Sequence, residues 1–235
     1  YPYAFIEIDS VTSILSLTRG ITQYVDHIKD TIFTSHNGFL KVRKIHRDRQ
    51  NTFWFSSQPY GIYTWKPGSD PMPAKKLDSI QPNIHLKRSL AFEEIQEHML
   101  FAPAGEGILL SLPDTILRFE ENDENGLSSN IIDDMIVRKN DLILWAATSK
   151  GLNRIDFSMG LRVKPKISII NTRNGLPSNR VFCLEEFDGE VWAGTGLGLV
   201  KIHSEYGSKS KLHKPIVEYM TYNDKDTLWA DDTYS

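Results

Sequence analysis

Hydrophobic and polar positions between residues 174 and 203 alternate in short blocks. The apolar blocks are residues 181–184, 191–193 and 199–202, and turn-forming residues stand beside them at Asn174-Gly175, Asp188-Gly189 and 194–198. Asn and Gly tolerate a positive φ, and an Asp-Gly pair favours a tight hairpin. The pattern therefore predicts three short antiparallel strands, which need neighbouring sheets because they cannot bury an apolar face alone.

The same arrangement recurs along the chain, with bulky apolar residues 40 to 47 positions apart. Each bulky residue precedes a Gly-Ile or Gly-Leu pair by six or seven positions. The five copies are Ile14 with Gly20, Trp54 with Gly61, Phe101 with Gly107, Trp145 with Gly151, and Trp192 with Gly198. An Asn-Gly pair precedes three of the bulky residues by 17 to 20 positions, at Asn37, Asn125 and Asn174.

A period in the mid-forties, made of strands and turns, is typical of a four-stranded propeller blade. Helical repeats would instead place apolar residues at i, i+3, i+4 and i+7. We therefore predict an all-β fold of four-stranded antiparallel blades, with the bulky residue of each middle strand buried between sheets. The repeat positions of this prediction are Trp54, Gly61, Phe101, Gly107, Gly126, Trp145, Gly151, Gly175, Trp192, Gly194, Thr195 and Gly198.

Two copies, at residues 125–156 and 174–203, resemble the two-component regulator propeller repeat. That pattern is an N-G-L-[PS]-[SD]-N segment, an apolar strand, D-x-x-G-x-[LI]-W-[AIV]-G-T, and then G-L-x-[RK]-[FIY]-D. The better copy matches it at Asn174, Gly175, Leu176, Asn179, Asp188, Trp192, Gly194, Thr195, Gly198 and Leu199. The three upstream copies are degenerate, with Ile14 and Phe101 in place of Trp.

The resemblance implies the periplasmic sensor region of a hybrid two-component histidine kinase. It implies a β-propeller, or a contiguous part of a seven-bladed one, that detects carbohydrate fragments, works as a homodimer, and signals through a membrane helix outside this chain. It implies no catalysis in this chain and no cofactor. Two alternatives stay open: a propeller enzyme acting on polysaccharide, either a lyase or a glycosidase, and a protein-interaction scaffold.

The repeats divide the chain into about five blades over residues 1–212. Residues 213–235 are either the start of a further blade or the start of an immunoglobulin-like domain. We expect residues 3–25 to supply the last three strands of a blade, and residues 30–34 to open the next blade on its inner strand. Because the chain begins inside a blade pattern, we expect it to be part of a longer protein.

Bulk composition changes this interpretation little. A net charge of −3 suggests neither a nucleic-acid nor an anionic-membrane partner. No stretch approaches the ~20 apolar residues of a membrane-spanning helix. The single cysteine, Cys183, lies in an apolar strand, so we interpret it as a buried spectator rather than a nucleophile.

Several motifs that suggest other chemistry have simpler explanations. Residues 194–198 look like a phosphate-binding loop, but the following residues predict a strand rather than the required helix. Residues 121–126 look like the start of a calcium loop, but Ile132 stands where the bidentate Glu should be. The seven His residues show no metal-ligand spacing. The sequence thus predicts no metal site and no catalytic site.

Aromatic residues outside the repeat pattern are the candidates for ligand binding. Tyr60 and Trp65 stand in such positions, and flat rings can stack on the apolar face of a sugar. The alternative is that both rings pack on the neighbouring blade. The partner expected at this site is an oligosaccharide or another small ligand.

Overall fold

The computed structural model describes most of the chain. The described residues are 4–10, 12–17, 20–25, 28–34, 41–58, 61–67, 72–73, 89–138, 142–202, 217–223 and 227–231. Tyr60 and the segment 203–216 lie outside them.

The described residues form five antiparallel sheets whose strands follow chain order. The first sheet contains β1 (Ala4–Glu7), β2 (Thr12–Leu17), β3 (Gly20–Val25) and β4 (Ile28–Thr34). The second contains β5 (Lys41–Arg47), β6 (Phe53–Gln58), β7 (Gly61–Trp65) and β8 (Met72–Pro73). The third contains β9 (Ser89–Ile95), β10 (His98–Pro103), β11 (Ile108–Ser111) and β12 (Ile116–Phe119).

The fourth sheet contains β13 (Ile132–Arg138), β14 (Ile143–Thr148), β15 (Gly151–Asp156) and β16 (Lys166–Ile170). The fifth contains β17 (Val181–Phe187), β18 (Glu190–Thr195), β19 (Gly198–Ile202), β20 (Val217–Asn223) and β21 (Thr227–Asp231). Two compact units result. The first holds the first three sheets, and the second holds the fourth and fifth. Within the described residues, β20 and β21 extend the fifth sheet.

The expected division of the first blade is wrong. Residues 30–34 belong to β4, the fourth strand of the first sheet, where Phe33 pairs with Ile21 of β3. Ala4–Glu7 therefore forms the first strand of this sheet, not the second. Only two residues separate β3 from β4, and so short a connection favours a hairpin within one sheet.

Buried side chains between neighbouring sheets form the core of each unit. In the second unit, Trp145 packs among small and branched residues of the fifth sheet, including Val191, Ala193 and Val200. Its side chain is 1% exposed. In the first unit, Ile14 packs against Phe53 and Phe55 of the second sheet. The middle-strand residue thus fills the space between sheets at these positions, as the repeat predicted.

Phe101 is a buried residue but does not occupy the position expected for it. In the fourth sheet, Trp145 is paired with Ile136 and Arg154. The pairing of β9 with β10 shifts in register near the start of β9, as the pairing of β13 with β14 does near the start of β13. Counted from this shift, the residue of the third sheet that corresponds to Trp145 is Leu100, which pairs with Glu93 and Leu110. Phe101 therefore faces the other way, and its ring centroid lies 5.9 Å from that of Trp54 in the second sheet.

One extra residue in the hairpin from β10 to β11 accounts for this shift. Leu110, the partner of Leu100, lies ten positions after it, whereas Arg154, the partner of Trp145, lies nine positions after it. Counting six positions back from Gly107 therefore reaches Phe101 rather than Leu100.

A threonine hydroxyl closes the turn of the middle hairpin in both good repeats. Thr148 Oγ1 donates to Gly151 O at 2.7 Å and accepts from Lys150 N at 3.0 Å. Thr195 Oγ1 donates to Gly198 O at 2.8 Å in the same way. The glycine that ends each turn has a positive φ, 135° for Gly151 and 132° for Gly198. These contacts explain why the pattern requires Thr and Gly three positions apart.

We predict that Thr148→Val destabilises the protein by about 1–3 kcal/mol, because the buried Gly151 carbonyl and Lys150 N–H lose their partner without a change in side-chain size. Thr148 Oγ1 also lies 2.8 Å from Ser128 Oγ, which adds to the loss. Urea unfolding of the variant measures the effect. Thr195→Val is the control and should cost less, since Thr195 is only partly buried. Equal losses for the two variants would contradict this explanation.

Candidate ligand-binding end

One end of the second unit collects exposed side chains from both of its sheets. The first strands β13 and β17 begin at this end, and the turns from β14 to β15 and from β18 to β19 lie there too. The strand register shows that these strand starts and turns lie side by side, because Ile132 is paired with Thr148 and Val181 with Thr195. We call this the entry end. Loops and strand ends on one side of a rigid scaffold are common places for binding sites.

A bulge places one extra residue at the start of each first strand. The register shifts between Ile132 and Asp134 in β13, and between Val181 and Cys183 in β17. The extra residues are therefore Asp133 and Phe182. Bulges often redirect a side chain next to a functional site.

These two extra residues meet through Arg180. A guanidinium nitrogen of Arg180 lies 3.4 Å from Asp133 Oδ2, and the Arg180 guanidinium carbon lies 5.1 Å from the centroid of the Phe182 ring. Phe182 nevertheless remains 50% exposed. We name Asp133, Arg180 and Phe182 the Arg180 cluster. It combines an accessible aromatic ring, a carboxylate acceptor and a planar donor.

Hydrogen bonds hold the segment that carries Arg180. Gly196 N donates to Arg180 O at 2.9 Å, and Arg180 N donates to Ser178 Oγ at 3.1 Å. Thr172 N donates to Asn179 Oδ1 at 2.8 Å. The Asn-Gly-Leu-Pro-Ser-Asn segment of the repeat thus positions the start of β17, and its leucine, Leu176, is buried in the core.

A second charged pair lies at the same end. Lys150 follows β14, and its ammonium group pairs with the Glu121 carboxylate. The hydrogen bond from Lys150 lowers the pKa of the Glu121 carboxyl. Two large apolar side chains at this end, Ile131 and Leu197, are exposed. The entry end therefore offers both apolar surface and charges of both signs. Such a surface suits a ligand that has apolar and polar parts of its own.

Of the two ligand candidates from sequence, the structure describes Trp65 alone, and it places that residue in a core. Trp65 is 7% exposed, and its ring centroid lies 5.4 Å from that of Phe53 in the core between the first two sheets. Its indole cannot present a face to a ligand, and packing on the neighbouring sheet, the alternative stated above, describes it. Tyr60 lies outside the described residues. Sequence reasoning missed the Arg180 cluster. The two bulges that create it are visible in the register of the strands. The alternation of apolar and polar residues along the sequence does not reveal them.

The cysteine interpretation is wrong in one respect. Cys183 is exposed rather than buried. It lies on the face of β17 opposite Leu184, and that face is not covered by the fourth sheet.

The predicted turn at residues 194–198 is confirmed, since β19 follows it and no helix does. Within the described residues, no three His, Cys, Asp or Glu side chains are grouped closely enough to hold a metal ion.

No helix in the described part of the chain has the length and apolar character to cross a bilayer. No family model matches the chain. No curated protein matches it either.

Solved structures match the chain over most of its length. One is the extracellular domain of a hybrid two-component system from B. thetaiotaomicron, with 17% identity and a TM-score of 0.71, covering 93% of this chain and 28% of that one. Another is the extracellular domain of a one-component system from the same organism, with 13% identity and a TM-score of 0.69, covering 94% of this chain and 31% of that one. The chain thus spans less than a third of these domains.

Enzymes also share the fold. A streptogramin B lyase is 12% identical, with a TM-score of 0.62, and the match covers 100% of this chain and 83% of that one. Identities this low establish the fold alone. Together with the antiparallel sheets, of which four have four strands and the last has five, they place the chain in the all-β class as a β-propeller.

Proposed function

We propose that this chain is a periplasmic ligand-sensing part of a two-component signal transduction protein. The observation that supports the proposal is the match of 93% or more of the chain to extracellular domains of one-component and two-component systems. The repeats at residues 125–156 and 174–203 support it from the sequence. Sensing requires no catalysis in this segment, and the kinase would lie in another part of the protein.

The ligand that we propose is an oligosaccharide bound at the entry end. A sugar ring has an apolar face, which stacks on an exposed aromatic ring such as Phe182. It also has hydroxyl groups, which donate to a carboxylate and accept from a guanidinium. Asp133 and Arg180 supply both groups beside that ring. Charges of opposite sign balance in the Arg180 cluster, which favours a neutral or weakly charged ligand.

The mechanism follows from where the cluster residues stand. Asp133 belongs to β13 of the fourth sheet, whereas Phe182 belongs to β17 of the fifth sheet. A ligand that touches both sheets stabilises the arrangement of the two sheets in which it can contact Asp133 and Phe182 at once. It shifts the equilibrium between this arrangement and any other by as much as its affinities for the two arrangements differ. In a homodimer, such a shift would change the geometry that reaches the membrane.

We predict that Phe182→Ala weakens oligosaccharide binding about tenfold, equivalent to one lost stacking contact of ~1.4 kcal/mol. A panel of oligosaccharides is first screened for binding to the chain. Calorimetric titration with an oligosaccharide that binds then measures the affinity of the parent protein and of each variant. Phe187→Ala is the matched control. Phe187 lies on the same strand, is 70% exposed and stands at the opposite end, so its removal should leave affinity unchanged. Equal affinity of both variants and the parent protein would remove the Arg180 cluster from the proposal.

An enzyme is the second candidate, because lyases share this fold. Mass spectrometry of the bound oligosaccharide after prolonged incubation distinguishes the two functions. A sensor returns the oligosaccharide unchanged, whereas a lyase or glycosidase yields shorter products. A panel without any binding oligosaccharide, together with capture of a specific protein, would instead favour an interaction scaffold.

A further inference from the structure

The connection from β15 to β16 presents apolar and basic side chains together. Met159 is 80% exposed and Val163 is 50% exposed, although both side chains are apolar. Three cations of the same connection are exposed as well, namely Arg162, Lys164 and Lys166. We call residues 157–166 the basic loop, and its sequence contains no carboxylate. Because the chain carries a net charge of −3, this positive surface is a local feature that bulk composition hides.

Contacts beneath its tip hold the basic loop in place. Phe157 and Leu161 are buried, and Phe157 N donates to Leu142 O at 2.7 Å. Gly160 N donates to Phe157 O at 2.8 Å, and Val163 N donates to Gly160 O at 3.1 Å. A Cβ at Gly160 would meet no atom within 4 Å, so the tip itself stands in the open. The loop therefore presents its exposed side chains in a fixed arrangement on a protruding surface.

The acidic residue next to the loop does not cancel this positive charge. Asp156 Oδ2 lies 3.1 Å from Arg154 Nη1, and Asp156 Oδ1 accepts a hydrogen bond from Ser158 N at 2.9 Å. The carboxylate is thus already paired within the fourth sheet. The two exposed lysines of the loop, Lys164 and Lys166, face the solvent with their charge available to a partner.

A protruding tip of this composition fits a lipid surface better than a protein surface. A protein partner needs a groove shaped to receive such a tip, whereas the fluid headgroup layer of a bilayer takes up apolar side chains without one. Basic side chains beside the apolar ones are attracted by anionic headgroups. We propose that the basic loop binds the surface of an anionic lipid bilayer, with Met159 and Val163 inserted among the headgroups and Lys164 and Lys166 against the phosphates.

The strand register places this membrane contact away from the entry end. Asp156 is paired with Ile143 and Lys166, whereas Gly151 is paired with Thr148 at the entry end. The basic loop therefore lies at the opposite end of the fourth sheet. A bilayer beneath the loop leaves the entry end facing away from the lipid, where a ligand has free access. The membrane contact itself does not depend on which ligand binds there.

Co-sedimentation of the full chain with lipid vesicles tests the proposal. The vesicles contain equal parts of phosphatidylglycerol and phosphatidylcholine, and vesicles of phosphatidylcholine alone are the reference. We expect binding to the anionic vesicles to be half complete at on the order of 1 mM lipid, and to weaken in high salt because salt screens the lysine charges. Absence of binding at lipid concentrations about tenfold higher would overturn the proposal.

Variants of exposed residues separate the apolar contribution from the electrostatic one. Met159→Ser combined with Val163→Ser should weaken binding to the anionic vesicles about tenfold, because the inserted apolar area is lost. Lys164→Glu should weaken it about fivefold or more. Arg173→Glu is the matched control and should leave binding unchanged, since it alters the net charge by the same amount at an exposed position just after β16, at the entry end.

Two outcomes of the variant series would contradict the proposal. Equal weakening by Lys164→Glu and Arg173→Glu would show that net charge, rather than the basic loop, controls binding. Loss of binding in the Lys164 variant without any loss in the Met159 and Val163 variant would assign the loop to a soluble polyanion instead of a bilayer. All of the substituted side chains are exposed, so the variants should keep the thermal midpoint of the parent protein.

Discussion

Replacing Trp145 with alanine is expected to lower the free energy of unfolding of the second unit by about 3–5 kcal/mol. The ring is 1% exposed and packs among residues from both sheets of the unit, including Ile143, Leu152 and Val191. Its removal leaves a cavity between two sheets whose backbones are held by ladder hydrogen bonds, so the space cannot close fully. Such a loss is a large part of the stability of a typical domain.

Denaturant titration followed by circular dichroism measures this loss. Trp192→Ala in the same chain is the control, since it removes the same ring from the corresponding position of the next sheet, where the ring is half-buried. The expected cost of the control is ~1–2 kcal/mol, in proportion to the smaller area that it buries. A Trp145 variant no less stable than the Trp192 variant would show that the indole does not hold the sheets together.

Gly107→Ala is expected to destabilise the protein by about 3 kcal/mol or more, for two reasons that act together. The residue has a φ of 72°, which is unfavourable for any side chain. In addition, a Cβ at this position would lie 2.2 Å from Phe119 O, a backbone atom that cannot move aside cheaply. Gly107 N also donates to Asn130 O at 3.1 Å, so a shift of this segment would cost that hydrogen bond as well.

Gly105 provides the matched control two residues away. It has a φ of 80°, but a Cβ there would meet no atom within 4 Å. Gly105→Ala should therefore cost only the backbone strain, about 1 kcal/mol. The difference between the two variants in chemical unfolding measures the steric part alone. If the two alanine variants were equally stable, the close approach to Phe119 would not matter energetically.

The repeat predicted the sheets well where it was regular. Asp188-Gly189 forms the expected tight hairpin, with a positive φ at both residues, and Trp145 fills the space between sheets. Local turn chemistry and a single buried position per repeat are properties that sequence carries directly.

The sequence misled where a prediction depended on the rest of the structure. The position of Phe101 is shifted by one residue, because the hairpin from β10 to β11 is one residue longer than the corresponding hairpin of the fourth sheet. Cys183 was expected in the core, since an apolar strand does not say which of its faces is covered. Phe182 was counted as part of an ordinary strand, and only the register shows that it is an extra residue.

Register shifts near the start of the first strand occur in four of the five sheets. In each of them, the inserted position takes no part in the pairing that sets the spacing of the sheet. Substitutions there can accumulate in evolution, or be randomised in a library, without loss of the architecture. Each of these four repeats therefore offers one variable site on a constant backbone frame, and new specificities can be selected by diversifying positions such as 133 and 182 together.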